Sequence, residues 1–269
     1  MKKIMISVAP VSAADTHIDP VAIANDVYEC YRAGAAMVHL HVRDAHGALT
    51  PDLALTQETV RLIKEKCDII IEISTGGVSN LTIEERCQPC YADWAEANSL
   101  NVGSTNLGDA VYINPIKDVR FCVQQILDNH KLAETELFEV GMANTLRELD
   151  EQFHFPRPLL IALVVGHPGE MPATQAGFQH LIDGVYDNFK KEDVIWGYTE
   201  AHRTDWELMK QALHMGASTV RIGFEDSDYI APDRCVAHNY ELIAEAAKII
   251  REQGMEPMSA SEARAMLHI

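Results

Sequence analysis

Two histidines at alternate positions of an apolar segment are the residues of this sequence best suited to chemistry. The run 35–42 is apolar except at His39 and His41. Successive side chains of a strand point to opposite faces, so both imidazoles would project from the same face. A pair of neighbouring nitrogen ligands suits zinc, whereas a lone buried histidine is more often satisfied by its neighbours. Because Arg43 and Asp44 follow at once, the segment favours a metal site over two core histidines.

The segment 220–226, Val-Arg-Ile-Gly-Phe-Glu-Asp, holds a second candidate group. Arg221 interrupts a short apolar run, and a buried guanidinium group needs a carboxylate partner. Glu225 and Asp226 are the nearest carboxylates in the sequence. An Arg–Asp pair is a structural tie in most proteins, but in a metal-lined pocket it could hold and tune a general base.

Polar residues recur toward the ends of three further apolar runs. They are Ser74 with Gly76 and Gly77, then Ser99 with Asn101, and then Glu136 with Glu139. A polar side chain inside an apolar strand destabilises the fold unless it is paired or functional. The two glycines fit an ordinary turn, and they fit equally well a backbone segment that approaches an anion. The repetition predicts one shared site at the same end of several strands.

Strand-like runs alternate with helix-like runs along the whole chain. We predict strands at 4–9, 37–43, 68–73, 97–102, 135–140, 158–165, 193–198 and 217–223. Alternation of this kind implies a parallel sheet, and eight units is the number that closes a barrel. The sequence therefore predicts a single (β/α)8 TIM-barrel domain over residues 1–269, with helices at its C-terminus. A doubly wound α/β sheet is the alternative, but no Gly-x-Gly-x-x-Gly pattern follows the first strand.

The predicted barrel also suggests a third metal ligand. Active sites of TIM barrels lie at the C-terminal ends of the strands, which is where the candidate residues fall. Two histidines need at least one more protein ligand. Glu225 is our choice, because the eighth strand of a closed barrel lies beside the first and near the second. Zinc fits two nitrogens and one carboxylate oxygen, and iron(II) accepts the same set.

The composition limits the partners and the location that we expect. The chain has 269 residues, 47% of them hydrophobic, and a formal charge of −18. This charge argues against nucleic acid or an anionic membrane as a partner, and no segment is long enough to span a membrane. The six cysteines lie mostly in apolar or helical contexts, which favours reduced thiols and a cytoplasmic location. Cys87 and Cys90 have the spacing of a redox motif, but chance spacing is the favoured interpretation.

Five segments taken together resemble the beta-keto acid cleavage enzymes. They are 33–44, 73–77, 100–109, 138–142 and 220–226, and they occur in a consistent order over nearly the whole chain. The resemblance implies a barrel with one zinc ion per subunit and a homo-oligomer, commonly a tetramer. It also implies condensation of a small-molecule β-keto acid with acetyl-CoA as co-substrate. The products would be acetoacetate and a new acyl-CoA.

The resemblance further implies a role for each matching residue. His39, His41 and Glu225 would bind zinc, and Arg221 and Asp226 would form a base dyad. Ser74, Gly76, Gly77 and Ser99 would hold the carboxylate of the keto acid, and Glu139 would be a further carboxylate of the pocket. Asn101 lies on the same predicted strand as Ser99 and is an additional candidate for substrate binding.

Two departures from the family pattern bear on the substrate and on CoA. Ala14 stands where the founding member of the family has a glutamate, which disfavours an aminated keto acid. The segment 197–203 differs from the usual Gly-x-Gly-Arg-like pattern, and Arg203 could supply the missing cation.

Two other readings of the same residues stay open. One is another metal-dependent barrel enzyme, such as a class II aldolase or an amidohydrolase. The histidine pair on the second strand disfavours the amidohydrolase, which carries such a pair on the first. The other is a metal-stabilised binding protein without catalysis, which an intact Arg221 and Asp226 disfavour.

Overall fold

Eight parallel strands form the centre of the molecule. The computed structural model describes residues 1–269. The strands are β1 (Lys3–Val8), β2 (Met37–Leu40), β3 (Ile70–Ser74), β4 (Ala97–Asn101), β5 (Leu132–Leu137), β6 (Leu159–Val165), β7 (Val194–Glu200) and β8 (Thr219–Ile222). Each strand pairs in parallel with its neighbours in sequence order, and β8 also pairs with β1. The sheet therefore closes on itself, and the predicted TIM barrel is confirmed.

A helix follows every strand, and a ninth helix ends the chain. The helices are α1 (Pro20–Ala33), α2 (Ala54–Lys64), α3 (Ile83–Arg86), α4 (Ile116–Asp128), α5 (Val140–Phe153), α6 (Gln175–Asn188), α7 (Glu207–Met215), α8 (Asn239–Glu252) and α9 (Ala260–Leu267). Short 3-10 helices occupy Gln88–Tyr91 and Lys191–Asp193. None of the nine helices combines the length and the apolar character that crossing a membrane requires.

Local sequence signals explain where the helices begin and end. The Asp19 side chain accepts hydrogen bonds from the amides of Val21 and Ala22, and Pro20 occupies the first turn of α1. Gly34 ends that helix with a φ of 123°, a value that favours glycine. These caps turn the chain back toward β2 and so place the two histidines in the barrel wall.

The side chains that alternate along each strand separate into an outer and an inner set. Val38 and Leu40 belong to the large hydrophobic core between the barrel and its helices. His39, between them, lies opposite Glu72 of β3 in the strand register. Ser74 lies opposite Ser99 in the same way. The barrel interior is therefore unusually polar, and its polar residues sit side by side on adjacent strands.

The N-terminal end of the barrel is closed by an apolar plug. Five strand residues form a small cluster with α9, namely Met5, Met37, Ile70, Ala97 and Leu160. Ala263 and Leu267 of α9 also belong to this cluster and are buried. Because this end is filled, substrates can reach the interior only from the C-terminal ends of the strands, as in other barrels of this type.

The structure differs from the predicted elements at several places. The fifth strand spans 132–137 instead of 135–140, since buried Glu134 and Glu136 belong to it and α5 begins at Val140. The helix after β8 begins only at Asn239, because Tyr229–Ala231 and Arg234–Cys235 before it pair as a hairpin. Two other short elements were not predicted, a hairpin of Thr105–Leu107 with Ala110–Tyr112 and a strand Glu256–Pro257 beside β1.

Candidate metal centre and active site

Three side chains predicted as metal ligands converge at the C-terminal mouth of the barrel. His39 lies in β2, His41 follows the strand end, and Glu225 lies in the loop after β8. Glu225 Oε1 is 3.2 Å from His41 Nε2 and 3.7 Å from His39 Nε2. Two ligand atoms of a tetrahedral zinc ion lie about 3.3 Å apart when each is at its usual distance from the metal. The separations found here bracket that value, so the three side chains fit a divalent ion.

The hydrogen bonds of His39 support the same assignment. Its Nδ1 lies 3.2 Å from Glu72 Oε2, and both side chains are buried. With the proton on Nδ1, the lone pair of Nε2 faces Glu225. This Nε2 atom is buried and has no hydrogen-bond partner in the protein. An unpaired buried nitrogen destabilises the fold unless a ligand satisfies it, and ligating histidines commonly donate their other N–H to a carboxylate.

A second buried glutamate stands behind Glu72. Burial raises the pKa of Glu72 to about 8. Burial and the adjacent Glu72 charge raise the pKa of Glu134 well above its ordinary value. Both carboxyl groups therefore favour protonation, and the proximity of Glu134 opposes part of the rise in the pKa of Glu72. The contact with Glu72 orients the imidazole of His39.

Arg221 and Asp226 form a bidentate ion pair next to the histidines. Arg221 Nε donates to Asp226 Oδ2 at 3.1 Å, and Nη2 donates to Oδ1 at 2.8 Å. Its Nη1 donates to Glu136 Oε1 at 2.9 Å. Burial raises the pKa of the Asp226 carboxyl, although the Arg221 charge opposes that shift. A carboxylate held in this way is a stronger base than one in water, and its orientation is fixed.

Glu136 takes the place in the pocket for which Glu139 was predicted. Glu136 is buried, lines the central cavity and contacts Arg221. Glu139 precedes α5, is half-buried and does not line that cavity. The shift of β5 by three residues explains the difference. The alternation of Glu134, Glu136 and apolar neighbours was the signal in the sequence that could have located the strand.

The predicted carboxylate-binding residues occupy the ends of β3 and β4. Ser99 Oγ donates to Ser74 Oγ at 3.3 Å, and the Gly76 amide donates to the same oxygen at 3.3 Å. Ser74, Gly76 and Gly77 line the central cavity. Asn101 is fully buried, and its Oδ1 accepts a hydrogen bond from the Gly103 amide. Asn101 thus supports the turn after β4 and does not face the cavity.

One large cavity joins these groups. Its volume is about 1530 Å³, and its wall includes His41, Ser74, Arg221, Glu225 and Asp226. Three ring side chains also line the cavity, and the ring of His167 packs against both Phe138 and His202. Pockets for a single drug-sized ligand are usually about 300–1,000 Å³. The cavity therefore has room for a small acid together with part of a second substrate.

The comparison with known protein families decides the membership of this chain. The profile of the family described as beta-keto acid cleavage enzyme matches residues 3–269. The chain belongs to this family. The resemblance inferred from five short segments is thereby confirmed.

Individual relatives agree with this assignment. A 3-keto-5-aminohexanoate cleavage enzyme of Acetoanaerobium sticklandii is 30% identical, over 92% of this chain and 89% of its own length. A 3,5-dioxohexanoate:acetyl-CoA acetone transferase of Paraburkholderia graminis is 26% identical, over 100% of this chain and 96% of its own. A structure described as a ternary complex of ObcA with C4-CoA adduct and oxalate has a TM-score of 0.78 at 17% identity, over 94% of this chain and 67% of that one. The structural likeness supports the fold alone.

Proposed function

We propose that this member of the beta-keto acid cleavage enzyme family condenses a β-keto acid with acetyl-CoA. The products are acetoacetate and a new acyl-CoA. One observation carries the proposal. Asp226, oriented by Arg221, adjoins the convergent group His39, His41 and Glu225 in a cavity large enough for two substrates. The names of the relatives, which include an acetyl-CoA transferase, support the same reaction class.

His39, His41 and Glu225 would hold a divalent ion, for which zinc is our choice. Two imidazole nitrogens and one carboxylate oxygen are a common donor set for catalytic zinc. When bound, such an ion supplies Lewis acidity that polarises a ketone and stabilises the enolate derived from it. The partner-free Nε2 of His39 and the Glu72 carboxylate behind it support this assignment.

Asp226 is the proposed base of the reaction. It takes a proton from the substrate carbon that lies between the ketone and the carboxylate. Arg221 holds both oxygens of Asp226, so the carboxylate cannot rotate away from the substrate. Glu136, on the other side of Arg221, fixes the guanidinium group in turn. The three residues act as one oriented unit, which is how positioning lowers a reaction barrier.

The carbon chemistry then balances without a further reactant. The deprotonated carbon attacks the acetyl carbonyl of acetyl-CoA and forms a carbon–carbon bond, and the CoA thiolate leaves. The thiolate attacks the original ketone, and the bond between that ketone and the central carbon breaks. The departing carbanion takes back the proton from Asp226 and becomes acetoacetate. The original acyl group leaves as the new thioester.

The remaining predicted residues have proposed roles that follow from their positions. Ser74 and the amides of Gly76 and Gly77 would bind the substrate carboxylate, since they line the cavity. Ser99 is buried and would act through the hydrogen bond that it donates to Ser74. Asn101 and Glu139 would act indirectly, through the turn after β4 and the start of α5.

We also propose a homo-oligomer, with the tetramer as the expected form, and a cytoplasmic location. Three exposed apolar side chains support association, Val111, Ile113 and Ile116, with exposed fractions of 49%, 66% and 39%. Light scattering on the purified protein tests the oligomer, and a monomer at micromolar concentration would contradict it.

A substrate screen tests the proposed reaction. The protein is incubated with acetyl-CoA and a panel of short, hydroxylated, dicarboxylic and cationic β-keto acids, and acetoacetate and the new acyl-CoA are measured. We expect equal amounts of the two products with at least one acid. Formation of neither product across the panel, by protein that carries metal, would refute the proposal.

A further inference from the structure

A buried arginine behind the proposed carboxylate site makes no ion pair. Arg86, at the end of α3, is 8% exposed. Its four hydrogen bonds go to neutral oxygens, those of Thr75, Tyr112, Ile113 and Asn114. Burying a guanidinium group without a counter-charge is unfavourable. In a protein of net charge −18, carboxylates are abundant, so a cation that lacks one suggests that an anion comes from a ligand.

Tyr112 connects this arginine to the cavity. Arg86 Nη2 donates to the Tyr112 hydroxyl oxygen at 2.8 Å, and the guanidinium group lies 5.0 Å from the centre of the ring. Tyr112 lines the central cavity although the residue is only 5% exposed. Its oxygen already accepts from Arg86, yet its own proton has no acceptor in the protein. A polarised hydroxyl at a cavity wall with an unused proton is a donor for a ligand.

The glycine at position 76 provides the opening through which this hydroxyl reaches the site. A Cβ atom on Gly76 would lie 1.5 Å from the Tyr112 oxygen, so no other residue fits there without displacing the tyrosine. The Gly76 amide donates to Ser74, which belongs to the proposed carboxylate site. The Tyr112 hydroxyl therefore lies against the same segment that would hold the substrate carboxylate.

We propose that the Tyr112 hydroxyl donates a hydrogen bond to the carboxylate of the β-keto acid, and that Arg86 positions and polarises this hydroxyl. The inference rests on the proposed function, because it assigns a residue to the same site. Tyr112 is a substrate-binding residue. Arg86 is a positioning residue, which acts through Tyr112 and supplies the buried positive charge that the substrate carboxylate balances.

The test compares the affinities of two ligands, one charged and one neutral, for the wild type and for the variant Tyr112→Phe. Tyr112→Phe removes only the hydroxyl, and Arg86 Nη2 keeps Asn114 as an acceptor. Binding of acetoacetate and of acetoacetamide to the metal-loaded protein is measured by calorimetry. Hydrogen bonds to charged groups are stronger than neutral ones. We expect acetoacetate affinity to fall about 10- to 100-fold and acetoacetamide affinity about fivefold or less.

Steady-state kinetics separate this role from a structural one. We expect KM for the keto acid to rise while KM for acetyl-CoA and metal content stay unchanged. Tm should fall slightly, because one buried N–H of Arg86 loses its acceptor. Tyr91→Phe is the matched control, since that hydroxyl bonds Gln125 on the outer surface. In this control we expect the affinities for acetoacetate and for acetoacetamide to equal those of the wild type. Equal weakening of acetoacetate and acetoacetamide, or equal changes in both KM values, would overturn the inference.

A second variant covers the case in which Tyr112→Phe does not fold. Arg86→Lys keeps the positive charge but removes the planar guanidinium group whose N–H groups hold Tyr112. We therefore expect the affinity for acetoacetate to fall at least threefold, with KM for acetyl-CoA unchanged. Unchanged acetoacetate affinity in this variant would overturn the inference. If wild-type protein neither binds acetoacetate nor releases it, the proposed function itself fails. If the wild type does both and the variants match it, only the role of Tyr112 and Arg86 fails.

Discussion

Glu72 allows the metal centre to be tested without measuring turnover. The Glu72 carboxylate lies 3.2 Å from Nδ1 of His39, and the Glu134 carboxyl group lies beside it. In Glu72→Gln the size of the side chain is kept, but only one amide oxygen remains to accept. The NH2 group must then face either His39 or Glu134. If it faces His39, the imidazole proton moves to Nε2 and blocks the nitrogen that faces Glu225.

The expected magnitude follows from the loss of this one contact. Removing a carboxylate that orients a ligating histidine commonly weakens metal binding about 10- to 100-fold. This range corresponds to about 1.4 to 2.7 kcal/mol. We do not expect a matching loss of stability in the metal-free protein, because the substitution also removes a fully buried carboxylate beside Glu134 and Glu136.

Zinc affinity is the quantity to measure. Metal-stripped protein is titrated with zinc in competition with a chromophoric chelator, and urea unfolding is followed without metal. Glu96→Gln is the control, since Glu96 pairs with Arg264 away from the barrel interior. Zinc affinity within twofold of wild type in Glu72→Gln would refute the reasoning. So would an equal loss in the control.

Three other predictions test separate parts of the site. Asp226→Asn should keep the bound metal and the fold while turnover falls by about 10²- to 10⁴-fold, and activity near that of wild type would exclude Asp226 as the base. Gly76→Ala should raise KM for the keto acid by displacing Tyr112, whereas Gly141→Ala, with open space around its Cβ and away from the cavity, serves as the comparison. Burial raises the pKa of Glu170 to about 8, so its protonated form is favoured in the folded state. Wild-type stability in urea should therefore fall, relative to Glu170→Gln, as pH rises from 5 to 8, and parallel curves would contradict this.

The sequence was sufficient to predict the barrel and to predict that five residues lie together at its C-terminal mouth. His39 and His41 interrupt an apolar run with the period of a strand, and Arg221 does the same near the C-terminus. The closure of eight strands then brings Glu225 and Asp226 to the histidines from a distance of more than 180 residues along the chain. Period and topology together are enough for such a prediction, because each polar residue stands out against aliphatic neighbours.

Other parts of the site depend on contacts that local patterns do not contain. Glu72 follows three isoleucines, so in the sequence it resembles a polar residue at the end of a strand. Its role becomes visible only from the pairing of the second and third strands, which places it opposite His39. Tyr112 and Arg86 lie on a short hairpin and a four-residue helix, 26 positions apart. The choice of Glu139 over Glu136 arose from a strand boundary, which is the feature that pattern analysis locates least well.

The charge of the barrel interior explains why these residues occur together. Five carboxyl groups surround the single guanidinium group of Arg221, those of Glu72, Glu134, Glu136, Glu225 and Asp226. If Glu134 were protonated and the other four groups ionised, four negative charges would face the positive charge of Arg221. A divalent ion among His39, His41 and Glu225 would leave an excess of one. Substitution of a single ligand therefore changes the electrostatic balance of the whole interior, and the base and the metal site are expected to respond as one coupled unit.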